Sequence, residues 1–199
     1  DVLIHAGDIC AYGSLKEFTI GMRWLGSQPH QYKFFTPGNH DITVEESAYT
    51  ARNICNDNGV ELVIDESITL HRLKLFFSPR TPIFCNWAFM QDKETAERYW
   101  ASIPGDIDIL VTHGPPYGYF DKCPVSVGCK SLLKAVTRVQ PMYHLMGHIH
   151  EGYSGRKIMK WDSGKQTTLA NVSILDRNYV IAAEPYVFDV ARGVHKDGQ

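Results

Sequence analysis

The 199-residue sequence predicts an α/β fold in which helices are layered on mixed sheets. Three observations carry this expectation. Short apolar runs of strand character alternate with helical stretches, several of them opened by a capping motif. Four of the apolar runs end in a glycine-bearing polar turn. No linker, repeat or low-complexity segment divides the chain, so one domain over residues 1–199 is expected.

Bulk properties narrow the function. Hydrophobic residues make up 44% and charged residues 21%, ordinary values for a globular protein. A net charge of −2 speaks against a nucleic-acid or membrane surface built on bulk electrostatics. Five cysteines, an odd number without a CxxC pair, argue against a disulfide framework or zinc ribbon; Cys123 and Cys129 are expected as free thiols. No apolar run reaches membrane-spanning length and nothing resembles a signal peptide, so a cytoplasmic location is expected. The chain opens directly in strand-like sequence without an initiator methionine, which suggests that it begins inside a longer protein.

In chain order, residues 2–6 form a short apolar strand ending at Gly7-Asp8, and the Ser14-x-x-Glu17 capping box opens a helix to about Gly26. Residues 32–36 are the next strand, closed by Pro37-Gly38-Asn39-His40-Asp41. A second capping box, Thr43-x-x-Glu46, opens a helix stopping near Asn58-Gly59. Residues 60–64 and 68–78 read as strands rich in β-branched and aromatic residues. A helix over 93–102, a buried strand over 107–112 ending at His113-Gly114-Pro115-Pro116, and a helix over 130–139 follow. Residues 143–146 close a strand at Gly147-His148-Ile149-His150, and 157–161, 166–174 and 186–190 are strand candidates in the tail.

The polar residues fall where open α/β sheets place their sites, beyond the carboxyl ends of strands. Taken singly, each has an ordinary reading. Asp8 would cap or turn, Asn39 would adopt a left-handed turn, and His113 would end a strand that Pro115 and Pro116 forbid to continue. Coincidence at four separate strand ends is what favours a metal site. Aspartate, asparagine and histidine without thiolate suit borderline divalent metals such as manganese, iron or zinc.

Gly7-Asp8, Gly38-Asn39-His40-Asp41, Thr112-His113-Gly114 and Gly147-His148-Ile149-His150 together resemble the ordered motifs of the calcineurin-like metallophosphoesterase superfamily. The text around them is similar to its branch of metallophosphoesterase-domain-containing proteins. The resemblance implies a four-layer α-β-β-α sandwich with two mixed sheets. It also implies two divalent metals, manganese first and iron or zinc as alternatives. Asp8 would bridge them, Asn39, His113 and His148 would complete one, and His150 would bind the other. His40 would lie over the substrate phosphate and assist the leaving group; Asp41 would orient His40 or be an exposed turn residue. The family's Asp-x-His motif ahead of Asp8 is absent, so truncation of the first strand is expected, leaving one metal with Asp8 and His150 alone.

The implied reaction is hydrolysis of a phosphodiester, with a cyclic nucleotide as candidate substrate, by water activated between the metals. The expected partner is a small-molecule phosphodiester or nucleotide, with no membrane. A nucleotide-binding scaffold without turnover, or a nuclease, are the alternatives. Lys and Arg total 20 against 22 acids, which gives a polynucleotide groove no support. Other residues carry open readings: Arg80 as phosphate clamp or surface residue, and Tyr117, Tyr119 and Phe120 as stacking wall or loop packing. Asn171 and Ser173 would line the pocket or satisfy local backbone, residues 84–87 would form an apolar patch, and His5 would pack in the core.

Overall fold

The computed structural model describes residues 1–190; the final nine residues of the expected domain lie outside it. β1 (Val2–His5), β2 (Tyr32–Phe35) and β3 (Glu61–Leu62) form a wholly parallel three-stranded sheet, linked by α1 (Leu15–Gly26), α2 (Ile42–Glu46) and α3 (Ala48–Asp57). A second, mixed sheet contains β4 (Glu66–Leu70), β5 (Leu73–Ser78), β8 (Ile109–Thr112), β11 (Tyr143–Met146), β12 (Arg156–Lys160) and β13 (Gln166–Asn171). Its order is β12-β13-β11-β8-β5-β4, parallel through the four central strands and antiparallel at both edges. β6 (Thr81–Pro82) pairs with β7 (Met90–Gln91), β9 (Lys122–Cys123) with β10 (Val125–Ser126), and α4 (Lys93–Ser102) and α5 (Lys130–Val139) complete the chain's longer elements.

Three apolar clusters separate four layers. Phe18, Met22 and Leu25 of α1 and Ala51 and Cys55 of α3 pack on the outer face of the parallel sheet with Phe35 and Leu62. Between the sheets lie Ala6, Phe34, Phe77, Val111 and Leu145, with the Phe34 and Phe77 rings 5.8 Å apart. Trp100 of α4 and Leu132 and Val136 of α5 cover the far face of the mixed sheet. The result is the α-β-β-α sandwich. Apolar side chains on both faces of the central strands explain why all four residues of β8 are buried, the pattern of a parallel strand covered on two sides.

The Ser14 box forms as the spacing predicts: Ser14 Oγ accepts from Glu17 N, and the Glu17 carboxylate accepts from Ser14 N. The Thr43 box does not cap the second helix. Asp41 occupies the N-cap without a side-chain bond to that helix, and the helix breaks at Ser47, where φ is −147°. The acids here serve other loops: Glu45 Oε1 accepts from Phe89 N, and Asp41 turns back to the strand ends. Residues 68–78 are a hairpin and not one strand, because His71 (φ 49°) and Arg72 (φ 72°) make the two-residue left-handed turn without glycine or asparagine. Residues 60–64 shrink to Glu61–Leu62, and no strand forms at 186–190, where Tyr186 and Phe188 stack at 5.2 Å beside Tyr143. Among the described residues no helix is long and apolar enough to cross a membrane.

Candidate metal centre

Parallel pairing brings the carboxyl ends of β1, β2, β8 and β11 to one edge, where the backbones approach closely. A Cβ on Gly7 would overlap the His113 ring and the backbone of Gly38, and a Cβ on Gly38 would overlap the Asp8 carboxylate. Only glycine fits these two places. Asp8 (φ 60°) and His148 (φ 67°) stand in the left-handed region, which is costly for a residue with a side chain and concentrates at functional sites.

Asp41 pins this backbone. Fully buried, its carboxylate accepts from Gly38 N at 2.8 Å, Asp8 N at 2.8 Å and Cys10 N at 3.0 Å. The expectation that it orients His40, or lies exposed in a turn, is therefore corrected. The His40 ring is held by the carbonyl of Ala11, 2.7 Å from Nδ1, while its backbone N donates to Asp8 Oδ1 at 2.8 Å. Burial, followed by the charge of Asp8, pushes the Asp41 carboxyl up to about 6.

The chemistry converges on one point. Ligand atoms of Asp8, His113 and His148 lie within 4.8 Å of one another. His113 Nδ1 is 2.8 Å from the Ala6 carbonyl, which only accepts, so that nitrogen carries hydrogen and Nε2 turns inward. There it meets Asp8 Oδ2 at 3.2 Å and Asn39 Oδ1 at 2.9 Å. Three electron-rich atoms facing each other require positive charge between them. Burial opposes a charge on His113, but the Asp8 charge and hydrogen bond, with the Ala6 carbonyl and Asp41, raise its pKa overall, the direction in which this acceptor-rich surrounding acts. Burial likewise resists ionisation of Asp8, yet His113 and the His40 backbone hold its carboxyl well below the usual range.

A divalent cation at the same point would supply that positive charge. Burial, then the charge of His113, presses His148 down to about 3, so its imidazole is neutral and offers a lone pair. Neither His148 ring nitrogen has a hydrogen-bond partner among the described residues. Carboxylate, amide oxygen and two imidazoles are a donor set for a borderline divalent metal, and the Ala6 carbonyl bond on His113 is the contact that fixes a ligating histidine.

His150 stands apart from this group. It begins a 3₁₀ turn, Nδ1 lies 3.1 Å from the Asp176 carbonyl, and its ring is 4.9 Å from that of Tyr179. A cavity of ≈ 440 Å³ opens beside it, lined by Glu151, Tyr153 and residues 176–178. Asn171 satisfies local backbone: Nδ2 donates to Ile149 O at 2.8 Å and Oδ1 accepts from Ser173 N, clamping the turn between His148 and His150. Arg80 is no free phosphate clamp, because Asp65 binds it through Nε and NH2. Tyr119 and Phe120 pack on the helix-side core, Tyr117 lies under Lys130, and His5 is half-buried with its ring 5.6 Å from that of Phe35. Residues 84–87 do adjoin the site: Trp87 lies 4.3 Å from the His40 ring and Phe84 5.4 Å from the His148 ring. No periodicity reveals that, since the segment is a loop.

Comparison with known proteins agrees with the fold. The profile of the calcineurin-like phosphoesterase family matches residues 1–152. The human protein named metallophosphoesterase domain-containing protein 1 is 35% identical over 216 residues, covering 96% of this chain and 64% of its own length. A probable rhamnogalacturonate lyase C of Emericella nidulans is 37% identical over 81% of this chain, a stretch that is 16% of that much larger protein. The crystal structure of TT1561 of Thermus thermophilus superposes with a TM-score of 0.56 at 15% identity, over 85% of this chain and 75% of that one, a likeness of fold. The chain thus spans somewhat under two thirds of its human relative.

Proposed function

The chain belongs to the calcineurin-like phosphoesterase family, and from that premise we propose that it is a metal-dependent phosphodiesterase acting on small phosphodiesters, cyclic nucleotides among them. The observation that carries the reading is the convergence of Asp8 Oδ2, Asn39 Oδ1 and His113 Nε2 beside the neutral His148. These four residues would hold a divalent cation, manganese in the first instance. When bound, such an ion supplies Lewis acidity for a phosphoryl oxygen and lowers the pKa of water.

The chain's own groups do the rest. Asp41 holds the Asp8 backbone in its left-handed conformation and so aims the carboxylate. Ala11 O accepts from Nδ1 of His40 and fixes the ring; with the ring in its imidazolium form, Nε2 would carry the second proton and give it to the departing oxygen. Asn171 sets the turn that carries His148 and His150. Trp87 lies against the His40 ring and Phe84 beside the His148 ring at the rim.

The test is turnover of bis-p-nitrophenyl phosphate and cyclic nucleotides at saturating manganese, with p-nitrophenyl phosphate as the monoester control. Diester hydrolysis that disappears on chelation and returns with manganese supports the reading; nucleotide binding without turnover under those conditions replaces it with a binding scaffold.

A further inference from the structure

The geometry points to residues 83–87 as a wall that receives a planar aromatic substituent carried by the substrate's phosphate, an inference that rests on the phosphoesterase reading. Ile83 is 61% exposed and Phe84 51% exposed, although the loop is pinned at both ends. Ile83 N donates to Gln91 O at 3.1 Å, Ala88 N to Asn39 O at 3.2 Å and Phe89 N to Glu45 Oε1 at 2.8 Å. The apolar side chains are therefore held out and do not fold back onto the core. One of the pins is Asn39, so the loop shares an anchor with the proposed metal donors.

Each ring of the loop meets an imidazole of the centre. Trp87 covers His40 at 4.3 Å with the planes tilted by 40°, and Phe84 flanks His148 at 5.4 Å. Phe84 keeps half its surface open beside the point where phosphate would sit. A phenyl ring or base attached to that phosphate buries apolar area there and gains an offset or tilted ring contact. Inorganic phosphate and short alkyl esters gain neither. A ring contact of this kind corresponds to about a tenfold difference in affinity.

The test is calorimetric binding of phenylphosphonate and methylphosphonate to the manganese-loaded chain, two probes with one headgroup that differ in the ring. The expected result is phenylphosphonate binding about tenfold more tightly, a preference that collapses in Phe84→Ala and survives in Phe84→Tyr. Equal binding of the two probes, an undiminished preference in Phe84→Ala, or no binding of either overturns the wall. Turnover of bis-p-nitrophenyl phosphate by the same preparation separates the two readings. Hydrolysis without the aromatic preference rejects the wall alone, and a Phe84-dependent preference without hydrolysis rejects the phosphodiesterase reading alone.

Discussion

At the end of β5 the carboxylate of Asp65 is completed by its neighbours. Arg80 donates twice to Oδ2, at 2.8 and 2.7 Å, and the hydroxyls of Ser78 and Tyr99 meet Oδ1. At the ends of β1, β2 and β8, Asp8 and Asn39 Oδ1 both face the His113 nitrogen, with no arginine or lysine in hydrogen-bonding reach among the described residues. Both groups are polar, partly buried and built at strand ends. The first is neutral in sum and tethers the strand end to α4 through Tyr99; the second concentrates acceptors and asks for a cation. What separates structural polarity from a site here is whether donors and acceptors balance, and neither burial nor residue type reveals that.

The comparison breaks most readily at Asp41, which holds the unbalanced cluster together. Asp41→Ala leaves the amides of Gly38, Asp8 and Cys10 without an acceptor, at about 1–3 kcal/mol each. Thermal denaturation should show a fall of roughly 6 °C or more. If the midpoint moves by less than a degree, the strand ends do not depend on it. Next comes His40→Gln, expected to lower diester turnover about 10²-fold or more while bound manganese is unchanged. A loss of metal in that variant would assign His40 to the ligand set.

Asp65→Asn sharpens the contrast from the other side. It should cost about 1–3 kcal/mol in denaturant unfolding and leave manganese affinity within about twofold, because the balanced cluster serves only the fold. The last effect, absent at neutral pH and confined to acid, is expected at His144, which lies in β11 behind the centre with Nε2 2.8 Å from Thr112 Oγ1. Burial lowers its pKa to about 3 from an ordinary 6.5, so the folded state keeps it neutral where the unfolded chain takes up a proton. Its stability contribution is complete above pH 6.5 and declines as pH falls toward 3, by up to about 1.4 kcal/mol per pH unit. In His144→Gln that share of the slope should vanish from unfolding curves between pH 6 and 4; an unchanged slope would mean that His144 is already charged in the folded state.

Much of the site was readable because its construction is local. Glycine beside Asp8, Asn39, His113 and His148 marks sharp turns at the ends of apolar runs, and run and turn are adjacent in sequence. The alternation gave the α/β class with mixed sheets, and the four-layer sandwich followed from the family resemblance. What escaped depends on distant partners. Asp41 looks like a turn residue until the amides of Asp8 and Cys10 fold against it from 33 and 31 positions away. Arg80 looks free until the hairpin places Asp65 beside it, and the hairpin itself hides behind a His71-Arg72 turn with none of the usual turn residues. The approach of Phe84 and Trp87 to two imidazoles belongs to a loop, where periodicity says nothing.

The central claim is that the unbalanced cluster, and not the balanced one, holds metal. The most direct measurement is manganese content by elemental analysis after loading and exhaustive dialysis, made in parallel on the unaltered chain, His148→Ala and Asp65→Asn. The unaltered chain and Asp65→Asn should retain the metal, and His148→Ala should bind it about 10²-fold more weakly or worse. Equal retention by His148→Ala and the unaltered chain would contradict the assignment.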